Sequence, residues 1–443
     1  MKSIGFIGLG YVGLTSAICF SFKGYTCYGY DIDKEKIKKL KDGILPIYEK
    51  DLDKYFIQVY DKSFIPTDNL KELIENSKLI FITVGTPSRE DGSINLQYVE
   101  EACKNIGECL KEIKNDYKVI IIKSTVIPGT TENLALPIIE KFGIKLGKDF
   151  GLVVNPEFLR EGNAVYDTLN PDRIIIGYKE EKDGNILEEF YKEIYKENIP
   201  PILKTNFVNA ELIKYANNAF LATKISFINM IANLCQTLKG ADVEEIAKGI
   251  GLDKRIGKEF LKAGLGYGGS CFPKDLEALL SFAKKLNVEL PLLEATIKIN
   301  NNQYYKAIEM AKIELKNLKG RTISILGLSF KANTDDIRNA VSIKIVNELL
   351  KEGANIKVYD PKAMENFKKL FNDKNIYFAK NVEDCLESSE CAIIVTEWEE
   401  FKRIKPETFL KLMKYPLVID GRRIYQPNEF KDKLIFKAIG YNN

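Results

Sequence analysis

The sequence predicts an α/β protein: two doubly wound parallel-sheet domains joined by a long central helix. Three observations carry that expectation. Short β-branched runs alternate with amphipathic segments in the first half of the chain. The same rhythm returns near the C-terminus. Between them, the stretch from Lys204 to Lys239 holds neither Gly nor Pro. The predicted divisions are residues 1–203, 204–318 and 319–443.

In the first division, Ser3–Leu9, Thr26–Asp31, Leu79–Val84, Val119–Lys123, Leu152–Asn155 and Arg173–Gly177 read as strands. Helical patterns lie between most of them, as crossovers between parallel strands require. In the middle division, Leu212, Tyr215, Ala216, Ala219, Phe220, Thr223, Phe227 and Ile231 keep helical spacing. A helix over that whole stretch would be on the order of 50 Å long. It is too long for a crossover, so it is expected to join the domains and offer an apolar face to a second copy of the chain; the other reading is an elongated spacer helix inside a monomer. A second long helical stretch is predicted around Pro291–Leu318. In the last division, Thr322–Leu326, Ile356–Asp360, Ala392–Thr396 and Leu417–Asp420 read as strands.

Composition narrows the chemistry. Of 443 residues, 45% are hydrophobic and 29% charged, and the net charge is only +3. That balance points to neither nucleic acid nor a membrane surface. No apolar run approaches the roughly 18 residues of a membrane span. The N-terminus runs straight into a strand pattern, so no signal peptide is expected. Eight cysteines form no CxxC pair, which suits free thiols in a cytoplasmic protein. There is no histidine. Ser-His-Asp and Cys-His chemistry and His-ligated metals are thereby excluded, and no metal site is expected. Acid–base work falls to Asp, Glu, Lys, Tyr, Cys or water.

Gly8-Leu9-Gly10-Tyr11-Val12-Gly13 follows a strand and opens a helix. The first glycine serves the tight turn, the second lets backbone approach a pyrophosphate, and the third packs helix on sheet. The anion then rests at the helix N-terminus. Asp31 ends the next strand, where a carboxylate reaches the adenosine ribose diol. It would repel a 2′-phosphate, so NAD is favoured over NADP, with Lys36 nearby acting against that preference. The other reading is a glycine turn that serves packing alone.

Gly266-Tyr267-Gly268-Gly269-Ser270-Cys271-Phe272-Pro273-Lys274-Asp275 delivers Cys271 to a helix N-terminus. There a thiolate is stabilised, and Asp275 follows one turn later. Alone, a Cys is usually a small buried hydrophobe, and an early helical Asp usually answers the dipole. Together with the glycines they suggest a nucleophile. Lys214 and Asn218 share one helix face. Such a pair is usually solvated, but this one borders an apolar stripe. Asn155-Pro156-Glu157-Phe158-Leu159-Arg160-Glu161-Gly162 follows a strand end, where α/β sites gather. It is either a charged loop or the home of a general base. In the last division, Phe330-Lys331, Arg338 and Asp420-Gly421-Arg422-Arg423 place cations at strand ends, suited to an anionic substrate or to an ordinary charged loop.

These segments, with Val84-Gly85-Thr86-Pro87 and Lys123-Ser124-Thr125-Val126, resemble the UDP-glucose/GDP-mannose dehydrogenase family over nearly the whole chain. The resemblance implies two Rossmann-like domains joined by a dimer-building helix. It implies NAD-dependent four-electron oxidation of UDP-glucose to UDP-glucuronate, through a thiohemiacetal and a thioester on Cys271. It further implies that Lys214 and Asn218 stabilise oxyanions, that Asp275 and a water placed by Thr125 move protons, and that Glu157 assists hydrolysis. Thr86, Thr125, Glu161 and Arg338 would join the glycine loop at NAD. Glu157, Phe158, Leu159, Lys214, Asn218, Phe260, Lys262, Tyr267, Gly268, Phe330, Lys331 and Arg422 would hold the UDP-sugar. Arg255 would reach the neighbouring subunit's site in a homodimer.

The cysteine loop resembles the UDP-glucose branch; GDP-mannose or another nucleotide sugar is the alternative. Met230 stands where members often carry Glu, and Ile127-Pro128 reorders the usual Pro-Val. A non-catalytic dinucleotide scaffold would be expected to lack the Cys, Lys or Asp. A two-electron 3-hydroxyacid dehydrogenase would need neither Cys271 nor a second α/β domain.

Overall fold

The computed structural model describes residues 3–113 and 116–442. These residues divide into two compact units, up to Asn217 and from Asn218 onward, and the division falls inside one helix, Phe207–Cys235.

The first unit is built on an eight-stranded sheet. Its strands are β1 Ser3–Ile7, β2 Thr26–Tyr30, β3 Phe64–Thr67, β4 Leu79–Ile82, β5 Lys118–Ile122, β6 Phe150–Val154, β7 Ile174–Tyr178 and β8 Ile202–Thr205. They lie in the order β3-β2-β1-β4-β5-β6-β7-β8. Chain order reverses between β1 and β4, which opens a crevice at the carboxyl ends of those strands. β1, β4, β5 and β6 are buried along their whole length. Near-continuous apolar runs are what a sheet covered on both faces requires. One expectation needs correction: the sheet is not wholly parallel, because β7 runs antiparallel to β6. Only the six-residue helix Ala164–Leu169 lies between them. The chain turns back there instead of completing a parallel crossover.

The second unit carries a six-stranded sheet: β9 Thr322–Leu326, β10 Asn355–Tyr359, β11 Ile376–Phe378, β12 Cys391–Ile394, β13 Leu417–Asp420 and β14 Ile435–Ala438. Its order, β11-β10-β9-β12-β13-β14, repeats that of the first six strands of the other sheet. Every pairing in it is parallel.

The helix Phe207–Cys235 has 29 residues, about 43 Å at the usual rise. It leaves Phe220, Phe227, Met230 and Leu234 exposed. The second helical stretch is not continuous: it is two helices, Pro291–Gln303 and Tyr305–Leu315, meeting at Tyr304. No helix among the described residues is long and apolar enough to cross a membrane.

Candidate active site

The glycine loop sits at the crevice of the first sheet. Gly8 has φ +96°, a left-handed conformation that L side chains rarely adopt. A Cβ on Gly13 would lie 1.9 Å from the Gly8 carbonyl oxygen, so only glycine lets the helix Tyr11–Phe22 start this close to the turn. Around Gly10 a Cβ would meet nothing within 4 Å, and no side chain caps the helix there. That open backbone beside a helix N-terminus fits a pyrophosphate. Asp31 accepts hydrogen bonds from the Leu9 N–H (2.8 Å) and the Asp33 N–H (3.0 Å), and it pairs with Lys36 at 2.7 Å. The carboxylate thus stands beside the loop, where a ribose diol would meet it. Tyr11 and Val12 form the half-buried first turn.

Thr86 donates to the Thr125 carbonyl at 2.9 Å, which ties the loop after β4 to the loop after β5. Glu157 follows β6 and is buried. Its carboxylate accepts from the Lys214 ammonium at 2.9 Å and from the Leu159 N–H. Burial pushes the Glu157 carboxyl up, but the Lys214 charge and hydrogen bond, the Leu159 N–H and Lys123 together hold it below the usual glutamate range. The Lys214 ammonium also lies 5.4 Å from the Phe158 ring, over which the Arg173 guanidinium packs at 3.8 Å. Glu161 belongs to a loop fixed by buried Glu49, whose two oxygens accept from the Gly162 and Ala164 N–H groups at 2.8 and 2.9 Å.

Three positioning groups in this unit carry no role in the sequence reading: Glu49, Lys123 and Glu211. The Glu211 carboxylate accepts from the Gly129 N–H (2.6 Å), the Thr131 N–H (2.8 Å) and the Thr131 hydroxyl (2.6 Å). It pins the segment that follows Thr125 to the helix of Lys214. The legible signal was spacing: Glu211 lies one turn before Lys214. Lys123 closes an apolar strand, and a charge at such a place needs a reason.

In the second unit, Cys271 is the N-cap of the helix Phe272–Lys285 and is half-buried. The Asp275 N–H bonds the Cys271 carbonyl at 2.8 Å. Asp275 is buried and accepts from the Asn218 amide (2.7 Å) and the Lys274 ammonium (2.6 Å). The loop that delivers the thiol is rigidly seated. A Cβ on Gly268 would lie 2.2 Å from the Asn339 carbonyl oxygen, and one on Gly269 would strike the Phe330 ring. The Gly269 N–H bonds the Arg338 carbonyl at 2.9 Å. Tyr267 and Phe272 meet edge to face, with Phe260 beside Phe272.

The cations expected at the substrate are differently placed. Lys262 is exposed, and Lys331 lies over the Phe330 ring. Arg422 donates to the Val395 and Gly266 carbonyls at 2.6 and 2.9 Å, so it braces the cysteine loop as well. The Arg338 guanidinium is paired with Asp336 at 2.6 Å, and exposed Arg255 with Asp253. Among the described residues no group of three or more Cys, Asp or Glu side chains is arranged to hold a metal.

Comparison with known proteins agrees with this architecture. Models of the UDP-glucose/GDP-mannose dehydrogenase family match as its NAD binding domain over residues 2–195, its central domain over 208–302 and its UDP binding domain over 324–427. The chain is 43% identical to UDP-glucose 6-dehydrogenase TuaD of Bacillus subtilis, with 99% of this chain and 93% of that protein aligned. It is 43% identical to a UDP-glucose 6-dehydrogenase of Rickettsia bellii, with 96% of each covered. A solved UDP-glucose dehydrogenase from Pyrobaculum islandicum superposes with TM-score 0.91 at 35% identity, covering 100% of this chain and 98% of that one. The chain belongs to the UDP-glucose/GDP-mannose dehydrogenase family and is an NAD-dependent oxidoreductase.

Proposed function

We propose that this enzyme oxidises C6 of UDP-glucose from alcohol to carboxylate, with Cys271 as the covalent nucleophile. NAD, held by the glycine loop and Asp31, supplies the hydride acceptor for both oxidations. The observation that carries the reading is the polar pairing along one helix: Lys214 with Glu157, then Asn218, one turn on, with Asp275 at the foot of the Cys271 helix.

The first oxidation gives an aldehyde that must not escape. The Cys271 thiolate adds to the aldehyde carbon, forming a C–S bond and a thiohemiacetal oxyanion. Lys214 and Asn218 stabilise that oxyanion by donating to it. Loss of a second hydride leaves a thioester. Glu157 takes a proton from the attacking water, and the C–S bond breaks with its electron pair returning to sulfur. A charged carboxylate at Glu157 is the form that accepts a proton, which fits its lowered titration. Asp275 relays protons, with Thr125 placing a water.

Phe158, Leu159, Phe260, Lys262, Tyr267, Gly268, Phe330, Lys331 and Arg422 hold the UDP-sugar in this reading, and Thr86, Glu161 and Arg338 attend NAD. The exposed stripe of Phe220, Phe227, Met230 and Leu234 packs on a second copy, which leaves Arg255 to reach across. Eight cysteines without a disulfide support a cytoplasmic location in this reading.

The test is stoichiometry. Purified enzyme with limiting UDP-glucose should form about two NADH per sugar, as four-electron oxidation demands. GDP-mannose, UDP-galactose and UDP-N-acetylglucosamine should react far more slowly. A ratio of one removes the thioester route, and preference for GDP-mannose reassigns the substrate.

A further inference from the structure

Lys123 is buried at the end of β5. Its ammonium donates to the Asn155 side-chain oxygen at 3.0 Å. That oxygen also accepts from the Tyr191 hydroxyl, while the Asn155 amide donates to the Ile175 carbonyl at 2.8 Å, so the acceptor is locked in place. Lys123 and Glu157 line the same polar cleft of about 80 Å³, which runs within the first unit to the exposed Arg160 and Asp172. A polar space of that size has room for several waters.

The proposed reaction releases protons as well as hydrides. Each carboxylate formed sheds the hydroxyl proton of the alcohol and both protons of the water. Resting on that reading, we propose that Lys123 is the proton exit of the hydrolytic step: it receives the proton that Glu157 takes from water and passes it to solvent through this cleft. The water O–H bond breaks and its proton goes to the Glu157 carboxylate. The oxygen bonds the thioester carbon, and the C–S bond breaks toward sulfur. Neutralising Glu157 removes the attraction that keeps Lys123 protonated, so the ammonium releases a proton to the cleft. The proton on Glu157 then moves to the neutral amine, and both groups regain their starting charge.

Burial pushes Lys123 down to about 8, with Glu157 pulling it back up and Lys214 pressing it further down. The other groups facing it do not change charge in that range. Burial raises the Tyr191 and Tyr195 hydroxyls far above it. Arg160 is paired with Asp167, and Arg173 stays cationic.

The test uses Lys123→Arg and Lys123→Met. Arginine keeps the charge but does not give up its proton. Both variants should keep the wild-type burst of NADH and the wild-type kcat/KM for UDP-glucose, because both hydride transfers precede the hydrolysis. Both should lose about ten- to a hundredfold in steady-state turnover. Wild-type turnover should rise toward a plateau near pH 8, and both variants should lack that rise. Wild-type turnover in Lys123→Arg overturns the relay. Nitrogen NMR on the ligand-free protein gives a readout apart from catalysis: Lys123 should titrate near 8, and lower in Glu157→Gln. Titration near the ordinary lysine value of about 10.4 also overturns it. Wild-type enzyme that forms no NADH from UDP-glucose would instead sink the functional reading, and the proposal with it.

Discussion

The two sheets repeat one device and put it to different uses. After β1, the Gly8 N–H bonds the Tyr30 carbonyl, and the Leu9 N–H bonds Asp31. After β9, the Gly327 N–H bonds the Tyr359 carbonyl, and the Leu328 N–H bonds Asp360. Both glycines are left-handed, at +96° and +102°. The difference lies in what else the acid does. Asp31 keeps an edge beside an open glycine loop. Asp360 is turned wholly inward. It accepts from Ser329 by N–H and hydroxyl, from the Trp398 indole at 3.0 Å, and from the Lys362 and Ala363 N–H groups. A saturated, buried carboxylate cannot greet a ribose. One turn is therefore left open, as the proposed dinucleotide site requires, and the other is a structural lock, although strand order is the same.

That contrast can be broken by experiment. The largest effect is expected at Gly13→Val, which must force the turn open at a cost of about 1–3 kcal/mol or more. NAD affinity, read by calorimetry, should fall roughly ten- to a hundredfold. Gly327→Val should lower the melting temperature yet leave NAD affinity intact. Equal loss of NAD binding in both would erase the distinction.

Next come the two acids. Asp360→Asn leaves buried donors mismatched and should cost about 1–3 kcal/mol of stability with no change in coenzyme preference. Asp31→Asn should relax discrimination against NADP by about tenfold, or ~1.4 kcal/mol, measured as a ratio of kcat/KM. A variant that still rejects NADP would show that Asp31 does not face the ribose.

A pH series sharpens the comparison further, because two buried strand-end acids shift in opposite directions. Glu157 is lowered by its cations. Its stabilisation is present above the unfolded value of about 4.3 and is lost as pH falls through the folded value. Asp420 is raised: burial outweighs the Tyr425, Arg422 and Ile424 N–H groups and Arg423. Its contribution is present below its unfolded value of about 3.9 and is lost as pH rises through the folded one. Native-state hydrogen exchange between pH 5 and 3 should weaken β6 and leave β13 level or firmer. Parallel weakening of both would contradict these environments. The smallest effect belongs to Lys36→Ala. Its ion pair is partly solvated, worth about 0.2–1 kcal/mol, so NAD affinity should move by no more than a few-fold.

What was legible in the sequence follows burial. The four strands missed from pattern alone, β3, β8, β11 and β14, are the four sheet edges. Their exposure alternates or is partial, and β3 contains Pro66. The ten strands that were read pair on both sides, and most carry long apolar runs. Direction was not legible: nothing in Ile174–Tyr178 announces an antiparallel strand. The glycine loop, Asp31, Lys214, Asn218, Cys271 and Asp275 were legible because spacing on a turn or a helix binds them together. Glu49 was not, since it works through backbone distant in sequence, while Lys123 and Glu211 gave only a weak signal, a charge closing an apolar strand and a spacing of one turn from Lys214. Arg338, expected at NAD, and Arg422, expected at the UDP-sugar, also make contacts that spacing does not announce: one pairs with a neighbouring Asp and the other braces backbone carbonyls.

The central claim is a bond between sugar carbon and Cys271 sulfur. Glu157→Gln removes the base expected to discharge that bond. Acid-quenched during turnover with UDP-glucose and NAD, this variant should carry the mass of a UDP-glucuronosyl group on the peptide containing Cys271. An unmodified Cys271 peptide from a reaction that has formed UDP-glucuronate would contradict the account.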